Sequence, residues 1–360
     1  MSNSYKKSDS SLFTKKINYI GKKLLETNQN SIRHNNFFSV IFISDTHSQQ
    51  LDEHTKKNSS LEQYCLLLKK IKLYENITCI VHGGDAIHGF ANNPIKSNTQ
   101  LKQFIASTKN ELYENTNPLK IIPFVMNEGN HDYTCNNFNK LVGENSDIIK
   151  AKRHCLDIIL LYTGYMHNGF SDLTSFKKQL SYVENKIKKE HKMVKFIIDM
   201  HIPPQIGAFV KYSNHTLNSE LTTEFIKFIN KYQSRIISVT THHIHNFNTS
   251  DFSLPVYIHP EGNIPIYLTS SGGNKDSNKH SKSQCKCLKM NFVTDKNKIN
   301  LKDVEEIVLW FRIPQWQRPL EVFFYSNKYL CVKTFFIIFS IDYSRVKYYD
   351  ISNSEHIALI

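Results

Sequence analysis

The chain has 360 residues, 40% hydrophobic and 21% charged, which is long enough for a large core and too apolar for a disordered chain. Lys and Arg number 45 against 32 Asp and Glu, a net charge of +13; that excess would attract nucleotides, nucleic acid or an anionic surface without choosing between them. Seven scattered cysteines, an odd number, exclude a disulfide framework and fit a reduced, cytoplasmic protein, and neither a secretory segment nor a run of transmembrane length is present in the sequence.

Residues 1–36 are rich in Lys, Ser and Asn, with Phe13, Ile17, Ile20 and Leu24 at helical spacing. A basic tail or a short amphipathic helix is expected there. Phe37–Ile43 is a continuous apolar strand that ends in Ser44-Asp45-Thr46-His47. Ser60 and Gln63 read as a capping box ahead of a helical face of Leu61, Cys65, Leu68 and Ile71. A second strand, residues 77–81, ends in His82-Gly83-Gly84-Asp85, and residues 99–114 read as helix. The apolar run 119–126 then opens onto Asn127-Glu128-Gly129-Asn130-His131-Asp132. Strands apolar on both faces, alternating with helices, predict a parallel sheet covered by helices.

A strand over residues 155–162 precedes a helix begun by Ser171 or Asp172, with Leu173, Phe176, Leu180, Val183 and Ile187 along one face. Residues 194–198 form a strand running into Asp199-Met200-His201-Ile202-Pro203-Pro204, where the prolines stop it. A helix near 218–231 leads to the strand 236–239 and then Thr241-His242-His243-Ile244-His245. Beyond residue 250 short strands follow, at 256–258, 266–269, 307–311, 335–341 and 346–349. A polar loop over 274–287 interrupts them. Cys285 and Cys287 are read as part of that solvated loop, since no second pair completes a zinc set. The expected division is a tail over 1–36, a core over 37–275, and strands within 276–360 that complete a second sheet.

Five apolar runs thus each end in Asp, Asn or His, in the order Asp-x-His, Gly-Asp, Gly-Asn-His-Asp, His and His-x-His. One such end is a capped strand. Five are not, because a polar group at a buried edge costs free energy unless something binds it. A mixed set of oxygen and imidazole donors suits a pair of divalent cations.

With its five motifs in this order, the chain over residues 37–275 resembles the calcineurin-like metallophosphoesterase superfamily. The helix with Gln179-Leu180, the strand after it and His201-Ile202-Pro203-Pro204 look like the branch of cyclic-nucleotide phosphodiesterases and purple acid phosphatases. The resemblance implies an α/β fold, a four-layer α/β/β/α sandwich of two mixed sheets flanked by helices. It implies two metal ions (manganese, iron or zinc), with Asp45, His47, Asp85 and His245 around one and Asp85, Asn130, His201 and His243 around the other. Asp85 would bridge them, His131 would stand beside the scissile phosphate, and Asp132 would orient it.

The chemistry follows from the donor set. Two cations lower the pKa of a bridging water and bind the phosphate oxygens, and a leaving alkoxide needs a proton, which a histidine can donate near neutral pH. The expected activity is therefore hydrolysis of a phosphodiester or phosphomonoester, of a small molecule or a nucleotide, by attack of a dimetal-bound hydroxide. A nuclease of the same superfamily is the alternative, encouraged by the net charge and by Gly84-Asp85-Ala86-Ile87-His88, which looks like the Gly-Asp-x-x-His of double-strand-break nucleases. A catalytically silent binding protein is the other. Two departures bear on these readings. His242 stands where the family has glycine, either as a partly exposed spectator or as a ligand in a register shifted by one. His88 occupies the position of the purple-acid-phosphatase tyrosine, which argues against a redox-active di-iron centre.

Overall fold

A computed structural model describes residues 37–48, 59–113, 122–142, 148–151, 155–164, 166, 172–245, 252–269, 272, 282–295 and 298–312. The expected N-terminal helix and the strands at 335–341 and 346–349 lie outside the described residues. The apolar runs marked in the sequence form strands, joined by two more that the sequence pattern does not mark, at Ile148–Ala151 and Lys282–Asp295. They are β1 (Phe37–Ile43), β2 (Ile77–His82), β3 (Phe124–Met126), β4 (Ile148–Ala151), β5 (Leu156–Leu161), β6 (Lys195–Met200), β7 (Ile236–Thr241), β8 (Tyr257–His259), β9 (Ile264–Leu268), β10 (Lys282–Asp295) and β11 (Lys298–Arg312). The helices are α1 (Ser59–Ile71), α2 (Pro94–Tyr113), α3 (Phe138–Val142), α4 (Leu173–Lys189) and α5 (Ser219–Tyr232).

Two mixed sheets result, one ordered β11-β10-β1-β2-β3 and the other β4-β5-β6-β7-β9-β8. In the first, β1, β2 and β3 are parallel. In the second, β5, β6, β7 and β9 are parallel, with β4 and β8 antiparallel at the edges. Strand alternation sorts the first sheet's side chains between two cores. Phe38, Val40 and Phe42 face the second sheet, and Phe38 stacks on Phe292 at 5.3 Å between ring centroids. Ile41 and Ile43 face the other way, joining Tyr64, Leu67 and Leu68 of α1 and Leu101 and Phe104 of α2. The second sheet packs its far side on Phe176, Leu180 and Val183 of α4 and Phe225 and Ile229 of α5. The layers are helix, sheet, sheet and helix, and each large side chain so buried contributes roughly 1.5–3 kcal/mol.

Three expectations change. Among the described residues, the strands after residue 276 do not complete the second sheet: β10 pairs antiparallel with β1, Phe38 opposite Phe292 and Val40 opposite Met290, and with β11 extends the first sheet. The expected polar loop 274–287 becomes strand from Lys282 onward, and Cys285 and Cys287 are fully buried against α1 rather than solvated. Alternation explains this, since Cys285 and Cys287 share one face while Lys286 lies on the other, largely buried and paired with Glu306 at 3.2 Å. Ser60 makes no capping box; its Oγ donates to the carbonyl of His47 at 3.1 Å, tying α1 to the end of β1. By contrast, Asp172 does cap α4, accepting from Ser175 N at 2.9 Å.

Candidate metal centre

All five polar strand ends lie at the carboxyl edges of parallel strands, where open α/β sheets place ligands. The loops after β1 and β2 run on as a ladder: Asp45 N donates to Gly84 O at 2.9 Å and His47 N to Asp85 O at 3.0 Å. Gly84, at φ +107, comes so close to the loop after β3 that a Cβ there would meet Gly129 N at 2.7 Å. Four ligand candidates hold left-handed backbone without being glycine: Asp45 (φ 53), His47 (φ 46), Asp85 (φ 52) and His243 (φ 74). Such conformations cost of order 1–3 kcal/mol each and collect at functional sites.

The side chains form two groups whose potential ligand atoms lie within 4.8 Å of one another: Asp45, His47 and His245, and Asp85, His201 and His243. In the first, His245 Nε2 stands 3.0 Å from Asp45 Oδ1 and 3.1 Å from His47 Nε2. In the second, His201 Nε2 is 3.3 Å from Asp85 Oδ2 and 3.1 Å from Asn130 Oδ1. Asp85 lies between the groups, its Oδ2 also 3.7 Å from His47 Nε2 and 3.9 Å from His131 Nε2. A third group, His47, His88 and His131, adjoins them.

The electrostatics suit cations. Burial raises the Asp45 carboxyl, but His245, His201 and His47 outweigh it and hold the group well below the usual carboxylate range. Asp85 behaves likewise: burial raises it, and His201, His131 and His47 hold it well below that range. Burial disfavours a charged His201 ring, yet Asp85 and then Asp45 carry it up to about 9. The carboxylates therefore call for positive charge in this pocket. Asp85 Oδ2 is buried with no well-aligned hydrogen bond among the described residues, only imidazole nitrogens at 3.3 to 3.9 Å, and a bound cation would satisfy it. The donor set, two carboxylates, one amide oxygen and four imidazoles, fits divalent metal.

The seven predicted ligand candidates, Asp45, His47, Asp85, Asn130, His201, His243 and His245, are thus gathered at one place. His131 is beside them, 28% exposed, its Nδ1 donating to the carbonyl of His88 at 2.5 Å. Asp132 does not touch the His131 ring. It is fully buried and accepts from the backbone N–H groups of Gly129 (3.0 Å), Ile87 (3.2 Å) and Ala86 (3.3 Å), so it joins the two loops and leaves ring orientation to His88. His82 is buried beneath the site against Thr46 Oγ1 at 3.0 Å, and burial pushes it down to about 3, a neutral ring. His242 is neither exposed nor a member of any of the three groups. Its ring is fully buried and bonded to Asp199 and Thr269, while His243 and His245 each fall in one of the groups.

Two features escaped the sequence reading. His215, on the turn Gly207–His215, is exposed and places Nδ1 3.3 Å from His243 Nε2. Nothing in its neighbourhood of the chain marks it. Asp199 is fully buried inside β6; a lone carboxylate within Phe-Ile-Ile-Asp-Met was the available signal, since such a group must find buried partners.

Two facing sheets with carboxylates from one and imidazoles mostly from the other define an α/β/β/α protein whose central site could hold metal. Residues 38–247, more than half of the chain, match the family model for calcineurin-like phosphoesterases, and the chain belongs to that family. No curated protein is similar enough in sequence to match. Among solved structures, the chain is similar to a dimetal phosphatase from Danio rerio at 12% identity and a TM-score of 0.47, over 75% of this chain and 98% of that one. It is similar to a putative 5'-nucleotidase from Staphylococcus aureus at 10% identity and 0.46, over 75% and 54%. A calcineurin-like phosphoesterase from Bacillus subtilis gives 13% and 0.45, over 76% and 90%.

Proposed function

We propose that the protein is a metal-dependent phosphoric ester hydrolase acting on a phosphodiester or phosphomonoester of a small molecule or nucleotide. Asp45, His47, Asp85 and His245 would hold one divalent cation, and Asp85, Asn130, His201 and His243 the other, with manganese, iron or zinc as the candidates. The observation that carries this reading is the buried Asp85 Oδ2 facing imidazoles of both groups. When bound, such a pair of cations supplies acidified water and positive charge against the phosphate oxygens.

The chain's own residues supply the rest. Asp85 Oδ1 accepts from His131 N at 2.8 Å, which fixes the bridging carboxylate to the loop that carries the proposed acid. His131 commits Nδ1 to His88 O, so Nε2 is the atom that can pass a proton to the departing oxygen. Asp132 serves by holding Gly129 against the loop after β2, which keeps Asn130 and His131 in place. His215 reaches the site from the second sheet's side, where an exposed imidazole can meet the phosphate or its leaving group. The six described cysteines are thiols, in keeping with the proposed cytoplasmic setting, and no helix among the described residues is long and apolar enough to cross a membrane.

The test is a panel of nucleotide, small-molecule, lipid and nucleic-acid phosphoesters, assayed with manganese, iron and zinc while bound metal is measured. Turnover that requires metal and is lost in Asp85→Asn supports the reading. No turnover of any ester with any of the three metals would leave a binding protein. Selective cleavage of nucleic acid, with steeply salt-dependent binding, would make it a nuclease.

A further inference from the structure

His242 stands where the family's glycine is expected, and its ring is packed into the interior. A Cβ on Gly83 would lie 1.9 Å from His242 Nε2, so the imidazole fills room that only glycine at 83 leaves open. From that ring a buried hydrogen-bonded chain runs in both directions. Nε2 lies 2.8 Å from Asp199 Oδ2, which also accepts from Thr240 Oγ1 at 2.9 Å, while Asp199 Oδ1 accepts from Asn127 Nδ2 at 3.1 Å. Nδ1 lies 2.5 Å from Thr269 Oγ1, Thr269 Oγ1 lies 2.7 Å from Ser44 Oγ, and Ser44 Oγ donates to Asp45 Oδ2 at 2.5 Å. His242, Asp199, Thr240, Thr269 and Ser44 are all at most 1% exposed.

Hydrogen counting gives the chain a direction. Each hydroxyl has one hydrogen. The Ser44 hydrogen goes to the Asp45 carboxylate, so the Thr269 hydrogen must go to Ser44, and His242 Nδ1–H must go to Thr269. The Nε2–Asp199 contact then carries one further hydrogen, shared between the ring and the carboxylate. Asp45 Oδ2 receives a second bond from His243 N at 3.2 Å and is thereby filled. Only Oδ1 is left to face His245, at 3.0 Å, and His47, at 4.0 Å.

From this geometry we infer that His242, Thr269 and Ser44, anchored on Asp199, are positioning residues that hold Asp45 so that it offers a single oxygen to the Asp45–His47–His245 group. The inference rests on the proposed reading of that group as a cation site. The network spans both sheets, since Ser44 follows β1, Asp199 lies in β6 and Thr269 follows β9. It therefore fixes a ligand of the first sheet through groups of the second. Groups that orient a ligand in this way typically carry about 10–100-fold of metal affinity.

The experiment titrates chelator-treated full-length protein with Mn²⁺, resolving stoichiometry and both dissociation constants, and records the melting temperature of the metal-free protein. Thr269→Val removes the relay hydroxyl while keeping the shape of the side chain, and Thr269→Ser restores it. Thr269→Val, and Ser44→Ala as a second variant, should bind two ions with one constant weakened about 10–100-fold and the other within about threefold of wild type, while Thr269→Ser stays near wild type for both. Two wild-type constants in Thr269→Val and Ser44→Ala, equal weakening of both, or failure of Thr269→Ser to rescue would overturn the inference. Wild-type protein that binds no Mn²⁺, Fe²⁺ or Zn²⁺ would overturn the cation site itself, a different failure.

Discussion

At the carboxyl edge of the first sheet, Asp45, His47 and Asp85 are held by their own backbone, each in the left-handed region and each with N–H or C=O groups in the ladder between adjoining loops. At the edge of the second sheet, His201 sits at the strand end with Nδ1 on Gly83 O at 2.9 Å, and the residues behind it form a buried polar network of Asp199, Thr240 and His242. One edge is stiffened by local conformation, at a cost of a few kcal/mol. The other is stiffened by side-chain hydrogen bonds, whose loss would leave buried polar groups unsatisfied. A site assembled from both tolerates little error in either. Backbone geometry places Asp45, His47 and Asp85, while the buried network of the second sheet lies behind His201 and reaches Asp45 through Thr269 and Ser44.

Breaking the first edge should have the largest effect. Asp85→Asn takes away the charge shared by both groups; turnover should fall on the order of 10³–10⁴-fold, the several kcal/mol a metal pair supplies, with metal content falling alongside. Retained turnover at wild-type metal content would show that Asp85 is not the bridge. A core change between the sheets should act on stability instead. Phe292→Ala removes the ring stacked on Phe38 and should cost about 3–5 kcal/mol in denaturant unfolding. The metal bound per folded molecule should be unaltered, and a change would mean that sheet spacing and site geometry are coupled.

The joint between the edges can be probed with Gly83→Ala, whose methyl must displace His242. The expected destabilisation is about 1–3 kcal/mol, and in a His242→Gly background it should largely vanish. Additive costs in that double-mutant cycle would refute the packing of His242 against Gly83. Farther from the site the effects shrink. Asp172→Ala deletes the α4 cap and should cost about 1 kcal/mol with kinetics unchanged. Smallest is Glu184, whose carboxylate is lowered to about 2 by Lys188 and then Lys231. Because its folded value is depressed, its contribution is present above the ordinary value of 4.5 and is lost as pH falls from there toward 2. The pair is at the surface, so Glu184→Gln should remove only about 0.5 kcal/mol, measurable as a slightly flatter acid limb of the stability curve.

Much of the fold could be read from the chain because its signals are local. β1 begins and ends where its apolar run does, and α4 starts at its aspartate and runs along the predicted stripe of Phe176, Leu180 and Val183. The candidate ligands could be read because each terminates an apolar run that leaves a polar group nowhere to go but a shared site. The segment after β9 was less legible. Residues 274–287 read as a polar loop because their lysines and serines mask the alternation of the strand that starts at Lys282, and β10 joined β1 of the first sheet because Phe292 and Met290 complete the apolar face of Phe38 and Val40.

The amino-acid order by itself settled most of the strands and helices that flank the site and which side chains would be left at the strand ends, because both depend on periodicity and on the cost of burying polar atoms. Only the folded chain decided which of those side chains share a partner. That Asp132 binds backbone rather than His131, that His215 reaches His243, and that His242 is buried on Asp199 are contacts across 28 to 46 residues. Contacts of this range are set by how two sheets pack face to face, and no local pattern in the chain encodes that packing.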